Sequence, residues 1–319
     1  MKTKKLKGGF TPYITADEKL LVTVSRNTAY VYDLESGKLQ QSVKSLSNLS
    51  ETAISGNKKL LAAKNTSGMI ALISLESGEE IGRCAMERRE GDRIVFTHDD
   101  GGVLDFDWDG RTMFLDCTGV KHQILDGPTN VVLGRLPKTV SMHYDVYSDR
   151  IYRIMADEMA GGNTKGRAQV SPADIGNIDY QTVREFDSIP DRLHGLSFCK
   201  THNYYVDWKK NLLIKTDKNF AEAARMELPS AWKPATGTLY DRIWISEGEK
   251  YLFVDFGKQC DPRDYEAYET APSLSSLYTL ADMEKIADFD YEYVSDFLMF
   301  DEDRRFVLAT WKGSYLGTL

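Results

Sequence analysis

The sequence lacks the segments that would take it into or across a membrane. Its N-terminus is rich in lysine but runs straight into Gly8, Gly9, Phe10, Thr11 and Pro12, with no apolar stretch of about 7 to 15 residues, so no secretory signal is expected. No apolar run elsewhere is long enough for a spanning helix. Cysteine is scarce: Cys84, Cys117, Cys199 and Cys260 lie far apart, with no CxxC pair. That spacing argues against a disulfide framework and suggests free thiols in a reducing compartment, hence a cytoplasmic protein. An excess of basic residues is missing too. With 40 Lys and Arg against 48 Asp and Glu, the net charge of −8 disfavours nucleic acid and anionic membrane surfaces as partners.

No Pro/Gly/Ser-rich linker and no low-complexity segment divides the chain. Its 319 residues would suggest two domains at about 150 residues each, but repeat architectures run longer as one unit, and a single domain over 1–319 is expected. Apolar residues at 42% and aromatics at 11% supply enough material for its cores.

What the chain does have is a repeat. Seven times a short polar turn leads into a run of large apolar or β-branched residues: KLLVTV from Lys19, KLLAAK from Lys59, GVLDFD from Gly102, RIYRIM from Arg150, NYYVDW from Asn203, KYLFVD from Lys250 and RFVLAT from Arg305. The starts are 40, 43, 48, 53, 47 and 55 residues apart. A period of roughly 40 to 50 residues built from strands indicates a β-propeller, whose blades must stack to bury their faces. About a dozen residues after each of the first six runs comes a hairpin turn, as in YDLESGK from Tyr32 and ISLESGE from Ile73. In the third repeat Asp109-Gly110 separates VLDFDW from RTMFLD, the residue pair preferred in a type I′ hairpin turn. The pattern predicts an all-β fold of seven four-stranded antiparallel blades, with the apolar run as the second strand of each. The seventh repeat ends after Trp311, Tyr315 and Leu316, which read as its third strand, so residues 4–9 are expected to supply the fourth and close the ring.

The strings VYDLESGKLQQ (from Val31) and LISLESGEEIG (from Leu72) resemble the strand, turn and strand segment of WD40-type and YVTN-type propeller repeats. The Gly-His and Trp-Asp dipeptides of WD40 repeats are absent: Asp107-Trp108 and Asp207-Trp208 are reversed and fall on the apolar run. The resemblance implies the fold and a tendency toward scaffolding roles, and no functional residue is carried over from it.

Chemistry is sparse. Asp105, Asp107, Asp109, Gly110 and Asp116 fit positions 1, 3, 5, 6 and 12 of a calcium loop, but they coincide with the hairpin of the third repeat, and the hairpin is the preferred reading. No G-x-S-x-G elbow exists. His98, His122, His143, His194 and His202 fall in separate repeats with no HxH or HExxH pair. His143, beside Tyr144 and Asp145 on an expected innermost strand, is the one general-base candidate, although a structural role outweighs it. The Asp boxes of sialidase propellers and the tryptophan repeats of quinoprotein propellers are missing, and no cofactor is expected.

Insertions carry more information, because in repeat proteins they gather on one face, often the binding face. The fourth repeat inserts Asp157–Pro172, read as a loop with Lys165 and Arg167. The sixth inserts Gly257–Ser273, with Arg263, Tyr265 and Tyr268, and the segment Leu228–Leu239 carries Trp232. Tyr, Trp and Arg are the side chains that most often anchor interfaces. The expected function is therefore a non-catalytic, monomeric interaction module that presents loops of blades four to six to a protein or peptide. The alternative is a propeller enzyme, such as a lactonase-like hydrolase or a lyase, or a small-ligand binder, acting at the central channel.

Overall fold

The computed structural model describes residues 2–85, 91–96, 100–107, 112–116, 122–124, 138–145, 147–160, 163–173, 178–189, 197–207, 210–229, 243–258, 266, 273–291 and 294–319. The described strands form seven four-stranded sheets, antiparallel throughout. Strand β1 (Lys2–Lys5) belongs to the last of them. The first sheet is β2 (Gly9–Ile14), β3 (Leu20–Ser25), β4 (Thr28–Asp33) and β5 (Leu39–Lys44); the second is β6 (Leu49–Ile54), β7 (Leu60–Asn65), β8 (Met69–Ser74) and β9 (Glu80–Ala85). The third is β10 (Gly91–Phe96), β11 (Gly102–Asp107), β12 (Thr112–Asp116) and β13 (His122–Ile124); the fourth is β14 (Lys138–Asp145), β15 (Arg150–Ala160), β16 (Asn163–Pro172) and β17 (Gln181–Ile189). The fifth holds β18 (Ser197–Phe198), β19 (Asn203–Asp207), β20 (Leu212–Thr216) and β21 (Glu222–Glu227); the sixth holds β22 (Ile243–Ile245), β23 (Tyr251–Lys258), β24 (Ser273–Thr279) and β25 (Lys285–Phe289). The seventh runs β26 (Val294–Phe300), β27 (Arg305–Thr310), β28 (Gly313–Thr318) and then β1. Every apolar run found in the sequence is the second strand of its sheet.

The chain falls into two compact units: Lys7–Ile189 holds the first four sheets, while Met1–Leu6 with Pro190–Leu319 holds the last three. Within each unit the cores lie between consecutive sheets. On β7, Leu61 and Ala63 join Val22, Val24 and Val31 of the first sheet, whereas Ala62 joins Ile94, Phe96 and Val103 of the third. The sixth sheet repeats this: Leu252 and Val254 pack with Tyr204, Val206 and Leu213, and Phe253 between them faces Phe297, Phe306 and Leu308. A strand buried on both faces needs apolar side chains at consecutive positions, which is why these runs show no polar alternation. Outer strands have a neighbour on one edge and water beyond, so β21 is exposed almost throughout and β5 buries little besides Val43.

Two turn chemistries set the register. Ahead of β3, β7 and β23, a Ser or Thr hydroxyl accepts from the backbone as the strand begins: Leu20 N to Thr15 Oγ1 at 3.0 Å, Leu60 N to Ser55 Oγ at 2.9 Å, and Tyr251 N to Ser246 Oγ at 3.0 Å. The repeated E-S-G triplet forms the other turn. Gly37 and Gly78 sit at φ 63° and 74° and donate to the carbonyls of Asp33 and Ser74, a left-handed geometry that glycine adopts without a Cβ penalty.

Three expectations are corrected. The strand that completes the seventh sheet is Lys2–Lys5, not residues 4–9: Lys5 pairs with Tyr315, Leu6 N donates to Ser314 O, Gly8 turns the chain at φ 80°, and Gly9 already belongs to β2. Asp157–Pro172 is no loop on its described residues. β15 and β16 stay paired through Ala160↔Asn163, because ladder hydrogen bonds use backbone that polar and glycine residues share with all others. Trp311 lies in the tight turn between β27 and β28 and not on the third strand, since the ladder closes at Thr310↔Gly313.

Gly317 on β28 lies against the ring of buried Phe306, so a Cβ there would overlap the aromatic carbons. Gly317→Ala is expected to cost about 1–3 kcal/mol in urea denaturation, and Phe306→Leu in the same chain should relieve much of that cost.

Candidate interaction surface

Carboxylates at the first-to-second-strand turns bind neighbouring sheets together, and these contacts determine which ends of the sheets lie side by side. Asp100 accepts from Gly56 N at 2.5 Å and Asn57 N at 2.8 Å, joining the turn before β11 to the turn before β7. Lys58 of that second turn also pairs with Asp17 of the first sheet. In the other unit, Glu249 accepts from Thr201 N at 3.3 Å and His202 N at 3.0 Å, and Asp303 accepts from Ser246 Oγ at 2.7 Å. Asp100, Glu249 and Asp303 all have left-handed backbone, at φ 58°, 57° and 66°. Each stands two residues before its second strand. That regular placement is the signal by which the sequence could have shown them.

Glu249 is the most heavily engaged of the three. Besides the two amides, its carboxylate receives the Tyr204 hydroxyl at 2.7 Å, His202 Nδ1 at 2.8 Å and the Lys215 ammonium at 3.1 Å. A carboxylate only accepts, so His202 Nδ1 carries the hydrogen. Burial by itself would raise this carboxyl, but the hydrogen bonds from Tyr204, Lys215 and His202 outweigh it and hold it below the usual range. Burial, and then the bond to Glu249, push the Tyr204 hydroxyl well upward. Cys199 is buried beside the cluster, and burial raises its thiol far enough to keep it protonated and unreactive.

Because the first turns of sheets five, six and seven touch in series, their second-to-third-strand connections leave from the opposite end of the same unit. Two features stand there. One is the long connection between β23 and β24, whose base is organised by Asp255. This carboxylate is 1% exposed and accepts from Ser275 Oγ at 2.8 Å and Gly257 N at 2.9 Å, where the ladder shifts register and Gly257 takes φ 61°. The other is Trp311, 68% exposed at the tip of the β27–β28 hairpin. Sequence reading missed its exposure by assigning it to a strand.

The residues singled out from sequence are unevenly placed. Lys165 is exposed and Arg167 half-buried on β16, in the unit holding the first four sheets. Trp232, Arg263, Tyr265 and Tyr268 lie outside the described residues, as does Asp109. Asp105 and Asp107 are on β11 and Asp116 on β12, with side chains outside the described set. The backbones of Asp105 and Asp116 lie in a continuous antiparallel ladder from Gly102↔Asp116 to Phe106↔Thr112, and Asp107 pairs with Gly91 of β10. His143 is half-buried on β14, opposite Tyr152. Its neighbours serve the next turn: Tyr144 donates to Asp149 at 2.6 Å, and Asp145 accepts from Tyr147 N at 3.0 Å and Ser148 Oγ at 2.8 Å. Among the described residues, no group of three or more His, Cys, Asp or Glu could hold a metal ion.

Glu249→Gln removes the charge that three side chains share and is expected to destabilise the protein by about 2–4 kcal/mol at neutral pH. The folded carboxyl titrates below the unfolded one, so its contribution is present above roughly pH 4.3 and fades as pH falls through the lowered value. Thermal melts of wild type and variant should therefore differ by a constant amount from neutral pH down to about 5 and converge in stronger acid.

No family model matches the chain, and no curated protein matches it in sequence. Among solved structures it is similar to the β-propeller domain of Cps50 (Swd1) from Myceliophteria thermophila, with a TM-score of 0.68 and 7% identity over 99% of this chain and 97% of that one. Likeness at that identity concerns the fold. No helix among the described residues is long and apolar enough to cross a membrane. The chain folds as a β-propeller made of four-stranded antiparallel blades.

Proposed function

We propose that this protein is a non-catalytic interaction module that binds a protein or peptide through the second-to-third-strand connections of its blades. The observation that carries the reading is Trp311. A tryptophan 68% exposed at a hairpin tip offers a large aromatic surface of the kind that anchors interfaces. It stands on the same end of its unit as the 259–272 connection, which carries Arg263, Tyr265 and Tyr268 in its sequence and rises from a buried, hydrogen-bonded base at Asp255. Trp232 belongs in sequence to the connection between β21 and β22. Lys165 and Arg167, on the long β15–β16 hairpin of the other unit, are a separate contribution. In this reading the seven sheets are seven blades of one domain, closed by β1 against β28, and the protein acts as a cytoplasmic monomer without a cofactor.

Affinity capture from native lysate tests it, comparing wild type, a form in which residues 259–272 are replaced by a short Gly-Ser linker, and Trp311→Ala, with mass-spectrometric readout. A protein retained by wild type and lost from both variants is the expected result. The same set of proteins retained by all three overturns the loop face.

A further inference from the structure

We infer that the open edge of β1 is a second docking surface, and that it takes an extended acidic peptide segment as an added strand. β1 ends its sheet: among the described strands it pairs with β28 alone, and its four side chains are all exposed. Such an edge presents backbone donors and acceptors at the spacing an incoming strand requires.

The charge of the strand indicates what comes in. Three of its four residues are lysines, in a chain whose net charge is −8. On three other outer strands a cation pairs with an acid of the same strand: Arg83 with Glu80 at 2.6 Å on β9, Arg225 with Glu222 at 2.6 Å on β21, and Lys285 with Asp288 at 2.9 Å on β25. β1 contains no acidic residue. Its lysines also occupy both faces. Lys5 lies 5.9 Å from the ring of Tyr315, which packs on Tyr291, and Thr3 hydrogen-bonds the Tyr291 hydroxyl, so Thr3 and Lys5 share one face; Lys2 and Lys4 take the other. An added strand with carboxylates at successive positions would meet a cation on each face, while the same lysines repel a basic strand. This surface is separate from the loop end and does not depend on it.

Fluorescence anisotropy with a labelled peptide of roughly eight residues that repeats Glu-Glu-Thr-Thr, so that each face of the added strand carries carboxylates, against its Lys-for-Glu counterpart, tests the inference. The expected result is a preference of about tenfold for the acidic peptide, weakening with salt. A Lys2→Glu, Lys4→Glu, Lys5→Glu variant should lose that preference and accept the basic peptide. Backbone amides of β1 should exchange hydrogen more slowly with the acidic peptide bound. The form with residues 259–272 replaced should bind as wild type does, so failure of the loop face and failure of this edge are distinguishable. Equal binding of both peptides, unchanged binding by the triple variant, or equally tight binding of dextran sulfate without protection of β1 overturns the inference. If circular dichroism shows the triple variant unfolded, Lys4→Glu alone should still weaken the acidic peptide about twofold to fivefold, and no change there also overturns it.

Discussion

Burial of each second strand from both sides is the constraint on which the rest of this structure depends. On β23, Leu252 and Val254 belong to the core shared with the fifth sheet and Phe253 to the core shared with the seventh. A four-stranded sheet standing alone would leave both of those faces in water, at roughly 1.5–3 kcal/mol per large side chain. Stacking in series removes that cost, and it explains why a unit of about 45 residues must be repeated before it is stable. The gradient from apolar second strand to polar outer strand follows, because each blade meets its neighbours near the inner strands and water at the rim.

Apolar faces by themselves set neither the tilt of one blade on the next nor which ends meet. The turn carboxylates supply that alignment. Asp100, Glu249 and Asp303 reach from a turn into the amides or hydroxyl of the preceding blade's turn, which holds the polarity of adjacent sheets in common. Their left-handed backbone carries a penalty for residues other than glycine, which the hydrogen bonds offset. The stacking end of the blades is therefore given over to structural bonds, and Tyr204, His202 and Lys215 are engaged there. The opposite end keeps the exposed Trp311 and the long connection rooted at Asp255. Structure and surface are thus divided between two ends of the same sheets, and the reading as an interaction module follows from that division.

Much of the fold was legible in the residues. The seven apolar runs, the E-S-G turns and the missing fourth strand of the last repeat all correspond to elements that form, since burial on two faces, positive φ in a turn and an unpaired edge each leave a local mark on composition. The site was far less legible. Asp157–Pro172 has the composition of a loop yet pairs as strands, because backbone hydrogen bonding is blind to side chains. The completing strand lay two to four residues earlier than expected, since the buried Leu6 and the left-handed Gly8, not the lysines, mark where it ends.

What the sequence determined by itself was the element type, the repeat and the rank of strands within each blade, because these depend on neighbours a few residues away. Tertiary structure alone decided which acids became bridges between blades, that Trp311 points into water, and that the lysines of β1 line an open edge. Those outcomes depend on partners 43 to 57 positions distant in the chain, as between Asn57 and Asp100 or Ser246 and Asp303, and for β1 on a strand at the opposite terminus. The place of such an acid, two residues before a second strand, recurs in the sequence, but the partner it reaches at such separations leaves no trace in composition, whereas the burial of a strand does.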